Sequence, residues 1–353
     1  MAYSLNQKIK NLTPYAPIIG HYDIRLDANE SFLTLPDDVK RKAVEDALSS
    51  PLNRYPDPYA TDLVRAFSKY YSVKPEYVTA GNGSDELISL IVGAFFEAGE
   101  ELVTVVPDFS MYQFYAEVFG VKTTAFTKDE SLRIDVDRLC QYLTQSKARG
   151  VIFSNPCNPT SICLSKRQVH RMLREVPDCL FIVDEAYMDF ADESVLSLVD
   201  DFDNLIVLRT CSKAIGLAAV RLGFAVAGEK ITRAIRSVKS PYNVNAVSQK
   251  IGEAVFSNPE FLMDATKKII VSREHLYKGL LALHARYRGF DEVYESAANF
   301  VFVRTKYAKE LYEGLLERSI AIRFMGGYLR ITAGTPEENK AVLSALEELI
   351  KEY

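Results

Sequence analysis

Residues 205–224 read LIVLRTCSKAIGLAAVRLGF and decide the fold class. A short apolar run at 205–208 is followed at once by a polar cluster at 209–213, which ends in Lys213, and Arg221 follows eight residues later. A continuous apolar run of this length is typical of a strand buried on both faces, as in a parallel sheet. Ligands of open parallel sheets bind beyond the carboxyl ends of the strands. The stretch therefore predicts a buried strand with a ligand-binding segment at its end.

Similar apolar runs occur elsewhere between about residues 40 and 228. We expect Glu101 to Val106, Val151 to Phe153 and Leu180 to Val183 to be further strands of one mainly parallel sheet. The stretches between them have helical periodicity. Residues 165–176, for example, start with a capping serine and stop before a proline. This alternation of strands and helices predicts an α/β fold for this part of the chain.

Polar clusters follow three of these strands and open one of the helical stretches. They are SNPCNPT at 154–160, DEAY at 184–187, RTCSK at 209–213 and GNGSDE at 81–86. The carboxyl ends of neighbouring parallel strands meet at one edge of a sheet. We therefore expect these clusters to surround one ligand site.

The pattern changes beyond about residue 246. A long helical stretch is followed by strand-like segments at 299–304 and 328–332, a helix near 308–318 and a closing helix from Pro336. This mixture predicts a second, smaller α+β domain. The predicted large domain covers 41–245 and the small domain covers 246–353. Because no flexible linker separates them, we expect a ligand cleft between the two domains.

Composition excludes several classes of protein. The chain has 353 residues, 42 Lys and Arg against 47 Asp and Glu, a net charge of −5 and 48% hydrophobic residues. It has no apolar stretch of membrane-spanning length, no apparent signal peptide and no basic run, so we expect no membrane or nucleic-acid partner and a cytoplasmic location. Its five cysteines include no close CxxC pair and its four histidines are scattered, so neither disulfides nor a metal site is expected.

Together these motifs resemble those of the fold-type-I pyridoxal-phosphate enzymes, and among them the aminotransferases similar to histidinol-phosphate aminotransferase. The matching pieces follow the family's order along almost the whole chain: LDANES at 26–31, NRYPDP at 53–58, GNGSDE at 81–86, NPCNPT at 155–160, DEAYMDF at 184–190, RTCSKAIGLAAVRLGF at 209–224, PYNVN at 241–245 and YLRITAGT at 328–335. The resemblance implies an aspartate-aminotransferase type of fold, with a mostly parallel large domain and a smaller α+β domain, and pyridoxal 5'-phosphate as cofactor. It also implies a homodimer with shared active sites, in which an N-terminal arm at 1–40 packs with the small domain and the partner subunit.

The resemblance indicates three catalytic residues. Lys213 would carry the aldehyde group of the cofactor and later move the α-proton of the substrate. Asp184 would keep a proton on the pyridine nitrogen, while Tyr187 and Asn158 would hydrogen-bond the phenolic oxygen. Taken singly, Lys213 is also compatible with a solvated surface lysine, Asp184 with a helix cap and Tyr187 with a core position. Their joint occurrence with Arg221 favours the catalytic interpretation.

The cofactor phosphate requires hydrogen-bond donors and positive charge. The residues predicted to supply them are Gly83, Ser84, Asp85, Thr210, Ser212 and Arg221. Phe109 matches the family's position for an aromatic ring stacked on the cofactor. Taken alone, GNGSDE is typical of an ordinary turn and helix cap. It lacks the third glycine of a dinucleotide fingerprint and the lysine of a P-loop, which gives nucleotide binding little support.

Further residues are predicted to bind substrate or to act across a dimer. Tyr55 corresponds to a tyrosine that, in the resembled enzymes, reaches the phosphate of the neighbouring subunit's cofactor. Arg330 lies where these enzymes bind a carboxylate or phosphate, and Arg323 would reach the same ligand. Asn299 and Tyr22 are candidates for lining the same pocket. Local packing of Tyr55 and a surface position for Arg323 are the alternatives.

Two segments depart from the family pattern. The asparagine-proline motif usually continues with Thr-Gly, but here Ser161 follows Thr160, so a turn that favours glycine must be made with a residue that carries a Cβ atom. LDANES usually continues into Pro-Phe-Gly-Pro, but here it continues into Phe32 to Pro36. Because that segment lies near the substrate in the family, the departure bears on specificity.

The predicted reaction is transamination between histidinol phosphate and 2-oxoglutarate, giving imidazole-acetol phosphate and glutamate. An aromatic-amino-acid aminotransferase and a threonine-phosphate decarboxylase are alternatives on the same fold. A non-catalytic regulator and a nicotinamide dehydrogenase are less compatible with the joint presence of Lys213, Asp184 and Arg221. The choice of reaction depends on which bond at the substrate Cα lies perpendicular to the cofactor plane, and the sequence does not determine that.

Overall fold

The computed structural model describes residues 3–6, 9–10, 12–13 and 17–352, so part of the predicted arm at 1–40 lies outside the described residues. The α-helices are α1 (Asp37–Leu48), α2 (Thr61–Tyr71), α3 (Gly83–Phe95), α4 (Met111–Phe119), α5 (Val136–Ser146), α6 (Lys166–Glu175), α7 (Glu229–Val238), α8 (Ala246–Phe256), α9 (Pro259–Tyr287), α10 (Ala308–Glu317) and α11 (Pro336–Ile350). The strands are β1 (Ile24–Leu26), β2 (Val78–Asn82), β3 (Glu101–Val106), β4 (Lys122–Thr127), β5 (Gly150–Ser154), β6 (Leu180–Asp184), β7 (Leu205–Thr210), β8 (Leu222–Ala227), β9 (Glu292–Val293), β10 (Phe300–Arg304), β11 (Ile320–Phe324) and β12 (Tyr328–Thr332).

The apolar runs of the first half form one seven-stranded sheet. Its strand order is β2-β8-β7-β6-β5-β3-β4. Strands β3 to β7 are parallel to their neighbours within that group, whereas β8 runs antiparallel to both β2 and β7. Strands β5, β6 and β7 are buried almost throughout, because helices cover both faces of the sheet. The predicted parallel sheet is confirmed.

Local signals set the limits of the helices where the sequence contains them. Ser165 caps α6 by accepting from the backbone N–H of Gln168, and the Gln168 side chain completes a capping box. Thr335 and Glu338 form the corresponding box at the start of α11. The predicted helices at these two places are confirmed within one residue at the N-terminal end.

A second sheet of five strands forms the smaller α+β unit. Its order is β1-β11-β12-β10-β9, and β1 is parallel to β11 while the other pairs are antiparallel. Helices α9, α10 and α11 cover this sheet with side chains that include Leu280, Leu311 and Leu346, all fully buried. Strand β1 therefore joins the N-terminal segment to the small sheet.

Helix α8 packs in the core of the large sheet. Val255 and Phe256 of α8 are buried in the same core as β8, and Leu262 at the start of α9 belongs to that core as well. Further along α9, Leu276 is buried in the core of the small sheet. We therefore propose that the boundary between the two domains lies within α9, later than the expected position at residue 246.

The fold class is as predicted: a mostly parallel large sheet with flanking helices and a second, smaller α+β unit. Within the described residues, no helix has the length and apolar character needed to cross a membrane. All five cysteines lie in the described part of the chain and are free.

Strand β8 passes close to the first turn of α3, and glycine at position 223 permits that approach. A Cβ atom on Gly223 would lie 2.4 Å from the carbonyl carbon of Gly83 and from the backbone nitrogen of Ser84. We expect Gly223→Ala to destabilise the protein by about 1–3 kcal/mol, because backbone atoms must move to admit the methyl group. The free energy of unfolding in urea measures this effect.

Gly327→Ala is the matched control, because a Cβ atom at position 327 would meet nothing within 4 Å. We expect this control to leave the free energy of unfolding nearly unchanged. Equal stability of the two variants would contradict the packing argument.

Candidate active site

A cavity of about 420 Å³ lies at the carboxyl ends of β5, β6 and β7. The start of α3, residues 28–30 and β12 complete its wall. The predicted site residues that line it are Ser84, Asp85, Phe109, Asn158, Asp184, Tyr187, Thr210, Ser212, Lys213, Arg221 and Arg330. The polar clusters thus converge on one cavity, as the parallel arrangement predicts.

Lys213 lies in the loop after β7 and extends its amine into the cavity. Its Nζ donates to the carbonyl oxygen of Ala28 at 2.9 Å. Burial, followed by the positive charge of Arg330, lowers the pKa of Lys213 to about 8. A larger fraction of this amine is therefore unprotonated near neutral pH than in an exposed lysine.

Asp184 is the last residue of β6 and is buried at the bottom of the cavity. One carboxylate oxygen accepts from the Tyr112 hydroxyl at 2.9 Å, and the other accepts from the backbone N–H of Ala186 at 3.1 Å. Burial raises the pKa of Asp184 to about 7. Neither of these two donors carries a formal charge, so a cationic ligand group beside Asp184 would favour the ionised carboxylate.

Tyr112 is a site residue that sequence reasoning missed. It lies on the first turn of α4, its ring contacts that of Phe109 at 5.5 Å between centroids, and burial raises the pKa of its hydroxyl well above the usual value. Phe109 lies three residues earlier, just before α4, and the backbone N–H of Tyr112 donates to its carbonyl oxygen at 3.3 Å, so the turn that leads into the helix brings the two rings together. That spacing is the signal in the sequence that could have identified it.

Asn29 is a second residue whose role the sequence did not indicate. Its side-chain amide donates to the Tyr187 hydroxyl at 2.9 Å, and its Oδ1 accepts from the Thr332 hydroxyl at 3.0 Å. Asn29 is buried and has φ of 55°, a conformation that asparagine tolerates better than most residues. It connects the N-terminal segment, the large domain and the small sheet at the edge of the cavity.

Arg221 lines one end of the cavity, and Gly83 lies against its guanidinium. Gly83 opens α3 with φ of +75°, and a Cβ atom at this position would lie 2.7 Å from Nη2 of Arg221. Arg221 places Nη1 3.4 Å from the Ser212 hydroxyl and Nη2 3.4 Å from the Asp85 carboxylate. A guanidinium beside the N-terminus of a helix is a favourable environment for an anion.

The hydroxyls of Thr210 and Ser212 lie at the same end of the cavity. The Thr210 hydroxyl donates to Oγ of Ser212 at 3.1 Å, and the backbone N–H of Ser212 donates to Oγ1 of Thr210 at 3.2 Å. These groups, with Ser84 and Asp85 at the start of α3, provide several donors around one position. The donor set suits a phosphate group.

Arg330 joins three parts of the fold. Its Nη1 donates to Oδ1 of Asn158 at 2.5 Å, and its Nη2 donates to the carbonyl oxygen of Asp27 at 2.7 Å. Its guanidinium lies 5.4 Å from the centre of the Phe300 ring. The amide nitrogen of Asn158 belongs to the same side chain and is a donor, so Asn158 has separate groups for Arg330 and for a ligand.

Five predicted site residues do not line this cavity; one of them is Gly83, which lies against Arg221 without reaching the cavity wall. Arg323 is opposite Arg330 in the β11–β12 register, but it lines a second cavity of about 400 Å³ together with Tyr22. Asn299 is buried and donates to the carbonyl oxygen of Asn29 at 3.1 Å. Tyr55 is 80% exposed and stacks on Tyr242, with 4.4 Å between ring centres. The expectation that Arg323 and Arg330 surround one pocket is therefore not met in this single chain.

The two departures from the family pattern have structural counterparts. Ser161 has φ of 59°, the left-handed conformation that favours glycine, as expected. Its hydroxyl lies 2.6 Å from the carbonyl oxygen of Thr160 and 3.1 Å from that of Glu295. Phe32 and Leu33 pack against the cluster that contains Tyr187, so the atypical segment lies directly behind the cavity wall.

Comparison with known proteins shows the family. The chain matches the family described as Aminotransferase class I and II over residues 22–346. It is 39% identical to a histidinol-phosphate aminotransferase of Clostridium novyi, over 96% of this chain and 95% of the relative, and 40% identical to one of Clostridium kluyveri over 98% of each chain. The structure of histidinol-phosphate aminotransferase from Sinorhizobium meliloti in complex with pyridoxal-5'-phosphate is 25% identical and superposes with a TM-score of 0.88, covering 99% of each chain.

These matches span nearly the full chain, and the residues that carry the family's motifs surround one cavity. The relatives also match in length, so the likeness is not confined to one domain. The chain therefore belongs to the aminotransferase class I and II family.

Proposed function

We propose that this protein is a pyridoxal-phosphate-dependent aminotransferase that transfers the amino group of histidinol phosphate to 2-oxoglutarate. The observation that carries the proposal is the convergence of Lys213, Asp184 and Arg221 on one cavity. Relatives about 40% identical over almost the whole chain are named for this donor, which supports the choice of substrate.

The residues of the cavity fit pyridoxal phosphate. Asp184 is a buried carboxylate that a pyridinium N–H would match, and the glycine at position 83 leaves room beside Arg221 where a side chain would clash. Hydroxyls and helix N–H groups at the Arg221 end suit the phosphate. When bound, the cofactor supplies an aldehyde that reacts with amines and a ring that accepts electrons from the substrate Cα.

Each side chain then has a distinct task. Lys213 Nζ takes the proton from the substrate Cα and returns it to the cofactor side, which requires an amine whose pKa lies near neutral pH. Asp184 holds the proton on the ring nitrogen. Tyr187, whose pKa is raised by burial, keeps its hydroxyl protonated, so it can donate to the phenolic oxygen.

Arg330 is the proposed anchor for the negatively charged group of the substrate. It is buried at 8% exposure and lies close enough to Lys213 to lower its pKa. A planar guanidinium binds carboxylate and phosphate oxygens in pairs, so one residue can serve the phosphorylated donor and the 2-oxo acid in turn. Arg323 and Tyr22 would take part only if the second cavity joins the substrate site.

We also propose that the active enzyme is a cytoplasmic homodimer. Tyr55 is exposed and does not line the cavity of its own chain, and Leu48, Leu52 and Tyr59, which are close to it in sequence, are exposed as well. An exposed apolar surface of this kind is typical of a protein interface. Its closure by a second copy would bring Tyr55 to the partner's cofactor phosphate, as the family resemblance implies.

The donor is tested by comparing kcat/KM for histidinol phosphate, phenylalanine and tyrosine. We expect histidinol phosphate to be the best donor, and Arg330→Ala to lower kcat/KM by the equivalent of about 2–5 kcal/mol, because a charge-assisted contact in a closed cleft is lost. The kcat/KM of Arg323→Ala, measured in the same assay, shows whether the second cavity contributes to substrate binding. Equal efficiency of the three donors would favour an aromatic aminotransferase, and carbon dioxide release from threonine phosphate would favour the decarboxylase.

The titration of Lys213 is tested by the pH dependence of cofactor attachment to the apoprotein. The ammonium form cannot attack an aldehyde, so the rate rises as Lys213 loses its proton. We expect a midpoint near pH 8, below the value of about 10.4 for an ordinary lysine. Borohydride trapping followed by peptide mapping measures attachment at each pH and identifies the residue.

Two variants test the cause of this shift. Arg330→Gln removes a positive charge that disfavours the ammonium form, so the midpoint should move to higher pH. Arg323→Gln, in the wall of the other cavity, should leave it in place. Attachment at a lysine other than Lys213, or a midpoint near that of a free lysine, would contradict the assignment.

The shared active site is tested by mixing inactive chains. A Lys213→Ala chain keeps Tyr55, and a Tyr55→Ala chain keeps Lys213. If Tyr55 acts across the interface, their mixed dimer contains one complete site, so mixing should restore activity. Lys213→Ala mixed with Asp184→Ala is the control, since both residues line the same cavity of one chain and no complete site can form. Restoration in both mixtures, or in neither, would speak against a Tyr55 contribution from the partner.

A further inference from the structure

A lysine and a cysteine that the proposed mechanism does not use lie against each other beside the cavity. Lys128 directly follows β4, and Cys157 belongs to the loop after β5. Nζ of Lys128 lies 2.8 Å from Sγ of Cys157. That separation is typical of a hydrogen bond to oxygen, so it is short for one to sulfur, which is a larger atom. The two residues are 6% and 3% exposed, so water contributes little to their solvation.

The surroundings keep the lysine charged. Burial acts to lower the pKa of Lys128, but Cys157 and the carboxylate of Asp108 outweigh burial, so the pKa is raised. Nζ also donates to the carbonyl oxygen of Pro107 at 2.8 Å. A buried ammonium group needs such partners. The result is a fixed geometry in which Nζ and Sγ are held in contact by groups on both sides.

Cys157 differs from the other cysteines in having a cationic hydrogen-bond partner. Burial raises the pKa of Cys140, Cys163 and Cys179 to about 12, which keeps them as thiols, and it also raises the pKa of Cys211. Among the described residues, Cys157 is the cysteine whose sulfur is hydrogen-bonded to a lysine. A cysteine beside a cation is the kind that reacts with oxidants, whereas cysteines in apolar surroundings are inert.

We propose that Lys128 and Cys157 form an oxidative cross-linking site, at which peroxide joins Nζ to Sγ through a single bridging oxygen atom. In the first step Sγ attacks peroxide while the Lys128 ammonium gives one proton to the leaving hydroxide. An S–O bond forms, the O–O bond breaks, sulfur is oxidised to the sulfenic acid, one water is released and Lys128 is left as a neutral amine. In the second step another peroxide accepts two electrons as the O–N bond forms between the sulfenic oxygen and the amine. The two oxygens of this peroxide leave as two waters. These waters carry away the two peroxide hydrogens, the hydrogen of the sulfenic acid and one hydrogen of the amine.

The position of the pair gives a small oxidant access and gives the cross-link a structural effect. Asn158, which follows Cys157 in the loop, lines the cavity, as does Ser154 at the end of β5. Peroxide that enters the cavity therefore comes within one residue of Cys157. Asn158 is also the partner of Arg330. The cross-link would therefore tie the end of β4 to the loop that holds the proposed substrate arginine.

The test uses the full-length holoenzyme treated with hydrogen peroxide, digested without reductant and analysed by mass spectrometry. We expect a joined pair of peptides, one with Lys128 and one with Cys157, whose mass is the sum of the two plus one oxygen and minus two hydrogens. Treatment with dithiothreitol should separate the pair again. The readout is a mass and not an activity, so it is independent of the proposed substrate.

Two variants serve as controls. Cys157→Ser removes the sulfur, and Lys128→Arg keeps the positive charge but replaces the amine by a guanidinium that is not a nucleophile at this pH. Both should lose the joined pair completely. If Lys128→Arg does not fold, Cys157→Ser still provides the comparison, because serine is close to cysteine in shape. A joined pair without the extra oxygen, Cys157 recovered as a sulfinic or sulfonic acid on an unjoined peptide, or Cys157 recovered as a free thiol would each overturn the proposal.

Discussion

The carboxylate of Asp184 is held at the end of a central strand, away from water, by a hydroxyl and a backbone N–H. Burial of this kind disfavours charge, and it raises the pKa to about 7. A ligand with a cationic nitrogen removes that cost. The rest of the cavity depends on this constraint, since a ligand that places a cationic nitrogen beside Asp184 lies in a space that Lys213 and Arg221 also line. The direction of the parallel strands brings Asp184 and Lys213 to the same edge of the sheet.

The sequence was sufficient to predict the features that depend on local pattern. Apolar runs predicted β3, β5, β6 and β7 of the large sheet, although the buried strands β2 and β8 were not predicted. The polar residues after β5, β6 and β7 were expected at one edge because parallel strands end there. Because ligands of parallel sheets bind at this edge, Lys213, Asp184 and Asn158 were predicted to lie around one site. Strand β4 was not predicted, and its more exposed pattern explains why an apolar-run criterion missed it.

Features that depend on contacts between distant parts of the chain were not predictable. Tyr112 reaches Asp184 across 72 residues, and Asn29 reaches Thr332 across 303. No local pattern identifies these distant partners, although the three-residue spacing does place Tyr112 beside Phe109. The expectation for Arg323 was based on its nearness to Arg330 in sequence. Opposite positions in two strands do not guarantee a shared pocket, because long side chains can turn towards different openings.

Helix α9 has a mechanical consequence. It is continuous over 29 residues, from Pro259 to Tyr287, and its two ends are embedded in different cores. Ile269 lies between the parts of the helix that enter the two cores, and it packs in the cluster that contains Tyr187. An unbroken series of backbone hydrogen bonds resists bending, so the helix is a rigid connection between the two cores, and its middle lies behind the cavity. Any tilt of the small sheet relative to the large one is thereby transmitted to the wall that carries Tyr187.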